Sequence, residues 1–244
     1  MATDNLTPGA HHYNRLTLSF YDFFVLYFSN SFAWRCPTQS VLLPFFRDNA
    51  GPRHMDVGVG TGYFPAAITD DSSNKKKKKK SEEVKQDWPQ KLALVDLNPK
   101  CLETAAARIG QPERTVCLLT DVLRPLSSDQ QENPAEVFDS ISLMYLLHCL
   151  AGPPGEKQRV FANLKPYLAD DHGVLFGATV LGKGVRHNWV GRMLMRVYNR
   201  VGVFDNYADG KEEILQALEN EFEDVEGHVV GCVLLFRARK PKRN

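Results

Sequence analysis

The sequence has few of the features that mark membrane, secreted or strongly charged proteins. Its 30 lysines and arginines nearly balance 29 aspartates and glutamates, which leaves a formal net charge of +1 over 244 residues. Such a balance gives no general reason to expect nucleic acid or a membrane as a partner. The apolar runs over 20–28 and 141–150 are too short or too interrupted to span a bilayer, and the polar start has no hydrophobic leader. We therefore expect a soluble, cytoplasmic protein.

Cysteine is also scarce and widely spaced. The five cysteines show no C-x-x-C pair, and their number is odd. This pattern suggests neither a zinc site nor a disulfide framework. We expect buried, reduced thiols and no metal.

The chain divides into two regions by pattern. Residues 1–50 are rich in aromatics at intervals of three to four, which predicts amphipathic helices that form an N-terminal cap. Over 51–244, short apolar runs alternate with helical stretches, and this alternation favours an α/β domain with a mostly parallel sheet. The last two of its seven strand candidates are expected to pair antiparallel at the edge. A further polar and aromatic insertion, over about 182–210, is expected to add to the cap.

A lysine-rich insertion separates the first helix from the second strand of this domain. Six consecutive lysines, Lys75–Lys80, repel one another and bury nothing. We interpret about 71–88 as a disordered surface loop. A nuclear address or a phosphate-binding patch is the alternative, although a basic run followed by acidic residues is a weak motif.

Three glycines follow an acidic residue in "HMDVGVGTGYFPAA", which begins at His54. Gly58, Gly60 and Gly62 lie between a predicted strand and a predicted helix, where open α/β folds bind ligands. Glycine lacks the Cβ that would keep a ligand from the backbone. The third glycine comes one position too early for the dinucleotide fingerprint G-x-G-x-x-G, and no Gly-Lys-Ser/Thr phosphate loop follows. The triplet predicts a ligand-binding turn, with a purely structural turn as the alternative.

Two further carboxylates end the next two predicted strands. Asp96, in "LALVDLN", can accept hydrogen bonds from both hydroxyls of a ribose. Asp121, in "LLTDVLRPL", can accept the amine of an adenine, with Val122 as an apolar neighbour of the ring. A helix-capping or solvated role is the alternative for Asp96, and an ordinary aspartate before a turn is the alternative for Asp121.

In this order, the segments resemble the class I S-adenosylmethionine-dependent methyltransferases over about 54–181. The acidic residue followed by G-x-G-x-G is the most specific part of the resemblance. It implies a Rossmann-like, doubly wound, seven-stranded α/β fold, with S-adenosylmethionine as cofactor and S-adenosylhomocysteine as product. The cofactor-binding positions it implies are Asp56, Gly58, Gly60, Gly62, Asp96, Leu97, Asp121, Val122, Met144 and Tyr145.

Two histidines are candidates for catalysis. Methyl transfer to a hydroxyl can use a base, and histidine titrates in a suitable range. His148 follows the fourth predicted strand, and His187 follows the fifth. A structural role for His148 and an exposed loop position for His187 are the alternatives. A carboxyl or carbon acceptor needs no base.

The acceptor pocket is expected between the N-terminal aromatics and the segment 187–210. Aromatic and methionine side chains there suit a largely carbon substrate, although each of them can equally be ordinary core. Tyr21 is a candidate for closing over the cofactor. The candidates for contact with the substrate are Tyr13, Trp34, Arg35 and Trp189, with a structural ion pair as the alternative for Arg35.

Together these features predict a methyltransferase that acts on a small, fairly apolar metabolite of secondary metabolism. The expected acceptor is a hydroxyl or a carboxyl, with a carbon as the alternative. The fourth strand ends in "SLMYLLH" rather than in the Asn/Asp-Pro-Pro-aromatic stretch of many nucleic-acid methyltransferases. Two alternatives stay open: a methyltransferase-fold protein that binds the cofactor while catalysing a cyclisation or rearrangement, and a protein methyltransferase.

Overall fold

The computed structural model describes residues 22–69, 88–126 and 136–243, with side chains from Phe28 onward. The candidates Tyr13 and Tyr21 and most of the lysine-rich insertion lie outside these ranges.

Helices are labelled α1–α8 and strands β1–β7 in chain order. The helices are α1 (Asp22–Ala33, in wide π-type turns), α2 (Leu43–Asn49), α3 (63–69, where the description stops), α4 (Pro99–Ile109), α5 (Pro154–Lys157), α6 (Arg159–Leu164), α7 (Trp189–Arg200) and α8 (Lys211–Glu221). The strands are β1 (Arg53–Val57), β2 (Lys91–Asp96), β3 (Thr115–Leu119), β4 (Ser140–Met144), β5 (Val174–Val180), β6 (Phe222–Val230) and β7 (Val233–Pro241).

The strands form one seven-stranded sheet in the order β3-β2-β1-β4-β5-β7-β6. The first five are parallel, whereas β7 pairs antiparallel with both β5 and β6. The predicted α/β fold with antiparallel pairing at one edge is confirmed. The strand order reverses direction between β1 and β4, and the carboxyl ends on either side of such a point form the crevice in which doubly wound folds bind ligands.

Local sequence signals account for the helix beside that crevice. Asn98 caps α4 by accepting a hydrogen bond from the Lys100 amide at 3.0 Å, and Pro99 occupies the first turn. Gly110 ends the helix in the left-handed region with φ 67°. The stretch from Pro154 to Tyr167 does not form one continuous helix, because it is divided into α5, α6 and a tight turn at Lys165–Tyr167. Pro166 lies in that turn and has no amide to continue the helix.

Apolar side chains cover both faces of the sheet in separate buried clusters. One cluster includes Met55, Ile141 and Phe161, and another includes Trp34, Phe46 and Phe176. All five cysteines are free, as expected. Cys117 is exposed rather than buried because it lies on β3, at the edge of the sheet.

Candidate cofactor and substrate site

A cavity of about 390 Å³ lies at the carboxyl ends of the parallel strands. This volume falls in the range of small-molecule pockets. Seven of the predicted cofactor residues line it, namely Gly58, Gly60, Asp96, Leu97, Asp121, Val122 and Tyr145. The topology therefore brings together side chains from the ends of β1, β2, β3 and β4.

The glycine turn connects β1 to α3, and its backbone faces β2. The Gly60 amide donates a hydrogen bond to Asp96 Oδ2 at 3.2 Å. A Cβ on Gly60 would meet nothing within 4 Å, so the space beside this backbone is open to the cavity. Gly62 does not line the cavity. A Cβ there would lie 2.8 Å from the Cβ of Ala105, so Gly62 allows α4 to pack against the turn.

Alanine substitutions at these two glycines are expected to have different effects, one mainly on cofactor binding and the other mainly on stability. Both have positive φ, 54° at Gly60 and 69° at Gly62, so each change costs about 1 kcal/mol of backbone strain. Gly62→Ala adds a backbone clash with α4 and should lower the melting temperature much more than Gly60→Ala does. Gly60→Ala should instead weaken cofactor binding, because its methyl group fills the approach to the turn. Calorimetric melting and cofactor titration of both variants test this, and equal melting temperatures would contradict it.

Asp96 and Asp121 are the acidic groups that the second and third strands bring to the cavity. Asp96 Oδ1 accepts the Asn98 amide at 2.9 Å, while Oδ2 faces the glycine turn. Burial raises the pKa of Asp96, and its backbone hydrogen bonds oppose that rise. Asp121 Oδ1 accepts the Leu123 amide at 3.0 Å, and Asp121 is half-exposed. Each carboxylate oxygen retains acceptor capacity, so both groups can bind donors of a ligand.

Asp56 lies beneath the turn rather than in the cavity. The Ser142 hydroxyl donates to Asp56 Oδ1, and His54 Nε2 lies 3.0 Å from the same hydroxyl oxygen. Burial raises the pKa of Asp56 to about 7; the hydrogen bond from Ser142 lowers it and the charge of Asp96 raises it further. This arrangement fits a residue that orders the turn and does not touch the ligand.

The end of β4 contributes Tyr145 but not Met144. Met144 is buried in the apolar cluster around Phe176. Tyr145 adopts positive φ (63°) and lines both the main cavity and a small neighbouring void of about 10 Å³. Its hydroxyl has no hydrogen-bond partner among the described residues, and burial raises its pKa well above the usual value. Trp34 and His148 also line the small void.

His148 is held in a geometry that opposes a role as base. The Val180 amide donates to His148 Nδ1 at 3.2 Å, and the Thr179 hydroxyl oxygen lies 3.1 Å from that atom. Because an N–H donor at Nδ1 requires a lone pair there, the ring proton lies on Nε2. Burial, and then the charge of Lys157, lower the pKa of His148 to about 3. The described geometry therefore favours the structural alternative for this residue.

The low pKa of His148 predicts a specific dependence of stability on pH. In the unfolded chain the imidazole of His148 has a pKa near 6.5, whereas in the folded protein its pKa is about 3. Between these two pH values only the unfolded state binds the proton, so the free energy of unfolding falls as the pH drops from 6.5 toward 3. From about pH 7.5 to about pH 5, the wild type should lose about 2 kcal/mol more unfolding free energy than His148→Gln. Urea unfolding at both pH values measures this difference. Asp56, which titrates in the opposite sense, is present in both proteins and cancels from the comparison.

His187 and Trp34 form a contact next to the small void. His187 Nε2 donates a hydrogen bond to the Leu181 carbonyl at 2.9 Å. The rings of His187 and Trp34 meet edge to face, with their centroids 5.8 Å apart. His187 Nδ1 is buried without a partner among the described residues. Burial is the main cause that lowers the pKa of His187. Neither residue lines the main cavity. Trp34 belongs to the buried core, where it packs against Phe204.

Arg35 and Trp189 also lie away from the main cavity. The Arg35 guanidinium donates to the Arg186 carbonyl at 2.6 Å, so this side chain ties the segment after α1 to the segment before α7. The bond is to a backbone carbonyl rather than an ion pair. Trp189, at the start of α7, is 71% exposed. Neither side chain lines the cavity.

The opposite wall of the cavity consists of residues that were not predicted individually. That wall is formed by Asn199, in the last turn of α7, and by four residues that follow the helix, namely Gly202, Val203, Phe204 and Asp205. The Asp205 amide donates to the His148 carbonyl at 2.9 Å, which fixes the wall against the end of β4. The segment 187–210 was predicted to cover the acceptor, but its pattern contains no signal that distinguishes these residues from Trp189. Cys101 and Cys149 line the cavity as well.

Comparisons with known proteins agree with this geometry. Residues 35–225 match the family model described as a methyltransferase domain. Methyltransferase verB from Penicillium polonicum is 49% identical over 96% of this chain and 99% of that protein. An O-methyltransferase of the physcion biosynthesis cluster from Aspergillus chevalieri is 43% identical over 97% of this chain and 98% of that protein. The crystal structure of the N-methyltransferase NodS from Bradyrhizobium japonicum, in complex with S-adenosylhomocysteine, gives a TM-score of 0.53 at 17% identity and covers 82% of this chain and 85% of that one. The chain belongs to the S-adenosylmethionine-dependent methyltransferase family.

Proposed function

We propose that the protein transfers a methyl group from S-adenosylmethionine to an acidic hydroxyl, or to a carboxyl, of a small and fairly apolar metabolite. The observation that supports this most is the placement of Asp96, Asp121 and the open Gly60 backbone around one cavity. When bound, the cofactor supplies an electrophilic methyl group on a sulfonium. Relatives named for O-methylation favour oxygen as the acceptor atom.

The residues of the cavity fit this cofactor. Asp96 is placed to accept hydrogen bonds from the ribose hydroxyls, and Asp121 to accept one from the adenine amine. Val122 and Leu97 offer apolar surface to the ring, and Gly60 allows close approach of the methionine end. These contacts would hold the cofactor within the cavity, and the lining would limit the access of water to the methyl group.

The side chains that line the cavity favour a methyl acceptor whose hydroxyl or carboxyl is acidic. Among the described residues that line the cavity, there is no histidine or lysine, and the ionisable oxygens belong to Asp96, Asp121, Asp205 and Tyr145. Burial raises the pKa of Tyr145 well above its usual value, so its phenol keeps its proton and does not serve as a base. Asp205 is already engaged, since its Oδ2 accepts the Gly152 amide at 2.8 Å. A phenolic or enolic hydroxyl, or a carboxyl, loses its proton readily and needs little help from a base. An aliphatic alcohol would need a stronger base than these side chains provide.

A matched panel of acceptors tests the proposal. The purified protein is incubated with methyl-labelled S-adenosylmethionine and a phenol, an enol, a carboxylic acid and an aliphatic alcohol of similar carbon skeleton. We expect the label in a product one CH₂ heavier than the phenol, enol or acid, and none in the alcohol. Transfer only to the alcohol, or an isomerised product with the cofactor unconsumed, would refute the proposal and in the second case favour the rearrangement alternative.

A further inference from the structure

One side of α7 exposes a continuous row of large apolar side chains. Trp189, Met193, Val197 and Val201 follow one another at intervals of four residues and are between 46% and 71% exposed. Residues four apart lie on the same side of a helix, so the four side chains form one stripe. Single exposed apolar residues are common, but a contiguous stripe of this kind marks an interaction surface.

The stripe belongs to a helix that is firmly attached to the protein. Its opposite side buries Gly191, Leu194 and Met195 in the apolar cluster around Trp34 or against α1. The Asn188 side-chain amide, which precedes α7, donates to the Phe32 carbonyl of α1 at 2.6 Å. The exposure of the stripe is therefore not the result of a detached helix.

The neighbouring helix α1 extends the apolar area. Phe28 and Phe32 are 40% and 62% exposed, and their ring centroids lie 5.3 Å apart. Together with the stripe on α7 they form the surface that we call the α7 surface, defined by Phe28, Phe32, Trp189, Met193, Val197 and Val201.

Basic side chains border this surface. Arg192, Arg196 and Arg200 are all exposed and lie along α7 at intervals of four, beside the apolar stripe. The segment 183–204 contains five lysines and arginines and no aspartate or glutamate, in a chain whose net charge is only +1. An apolar stripe flanked by arginines, with an exposed tryptophan, is the pattern of a helix that lies in the plane of a membrane interface.

We propose that the α7 surface docks on an anionic lipid surface, with the apolar stripe inserted among the headgroups and the arginines paired with lipid charge. A second copy of the chain fits less well, because a two-fold contact through this surface would bring the same arginines face to face without an acidic residue in the segment. None of the described helices is long and apolar enough to cross a membrane, so α7 would lie on the surface. The net charge of the whole chain gave no reason to expect a membrane as a partner, because the basic residues of α7 are offset by acidic residues elsewhere. Docking through the α7 surface does not depend on the identity of the methyl acceptor.

Vesicle flotation with the full-length protein tests the inference. Vesicles of phosphatidylcholine alone are compared with vesicles that also contain phosphatidylserine, without cofactor or acceptor. We expect binding to the anionic vesicles that falls when salt rises from about 0.1 M to about 1 M, which shortens the Debye length from about 10 Å to about 3 Å. Absence of binding to the anionic vesicles would overturn the proposal.

Two variants and a matched control locate the contact. Each arginine near an anionic surface contributes roughly fivefold to binding, so Arg196→Glu/Arg200→Glu should weaken it by at least about 30-fold. Trp189→Ala/Met193→Ala should also weaken binding, while retaining its dependence on salt. Arg159→Glu/Lys240→Glu removes the same charge from exposed positions elsewhere and should bind nearly as the wild type does. Equal loss in the control, or a concentration-dependent dimer abolished by the α7 variants, would overturn the lipid assignment.

Discussion

Replacement of Asp96 by alanine should weaken the binding of S-adenosylmethionine by about 10- to 150-fold, which corresponds to the loss of a charge-assisted hydrogen bond worth roughly 1.5–3 kcal/mol. The side chain has two functions at the site. It faces the cavity as an acceptor, and it holds the amides of Gly60 and Asn98 at 3.2 and 2.9 Å. Its removal therefore takes away a ligand contact and also releases the glycine turn. Isothermal titration measures the affinity directly.

Two controls make this result specific. Asp171→Ala removes an exposed carboxylate outside the cavity and should leave the affinity unchanged. Asp96→Asn keeps an oxygen acceptor of similar shape and should lose less than the alanine variant. If Asp96→Ala binds the cofactor as tightly as the wild type while folding normally, the ribose assignment is wrong.

Removal of Lys157 from its buried ion pair with Asp209 should strongly destabilise the protein. The two side chains are 4% and 5% exposed, and Lys157 Nζ lies 2.9 and 2.8 Å from the two carboxylate oxygens of Asp209. Lys157→Met leaves the carboxylate buried without its partner, which costs about 3–5 kcal/mol of unfolding free energy. Lys157 Nζ also donates to the Asp205 carbonyl, so the cavity wall should loosen with it. Denaturant unfolding measures the first effect and cofactor titration the second.

The chain offers an exposed pair as a matched comparison. Lys183 and Glu213 lie 2.5 Å apart, and their side chains are 50% and 40% exposed. Lys183→Met should cost less than about 1 kcal/mol, because water screens that pair. The double variant Lys157→Met/Asp209→Asn should recover about 1–3 kcal/mol relative to Lys157→Met alone, since no unpaired charge remains. Equal effects of Lys157→Met and Lys183→Met would contradict the account.

The fold and the cofactor side of the cavity were predictable because their signals are local. Pro99 and Gly110 bound α4 at the positions where the structure begins and ends it. Asp96 and Asp121 could be placed together because parallel strands end at the same edge of a sheet. The order of glycines and acids along the chain was therefore sufficient to predict which strand ends would meet.

The opposite wall could not be predicted because it depends on contacts between distant segments. Asp205 reaches the cavity through hydrogen bonds with His148 and Gly152, about fifty positions earlier. Trp34 resembles a pocket aromatic in sequence, but its burial depends on packing against Phe204. The amphipathic character of α7 could not be predicted either, because only the exposure of Trp189 and Met193 shows that an apolar stripe lies beside its arginines.

The most direct test of the central claim is isothermal titration of the full chain with S-adenosylmethionine and S-adenosylhomocysteine, with NADH as control. A cavity with an open Gly60 backbone and with Asp96 and Asp121 at its edge should bind both sulfur compounds at micromolar concentrations with one site per chain. NADH should not bind, because the third glycine departs from the dinucleotide spacing. Binding of NADH in preference to both sulfur compounds, or no binding of any of the three by folded protein, would contradict the account.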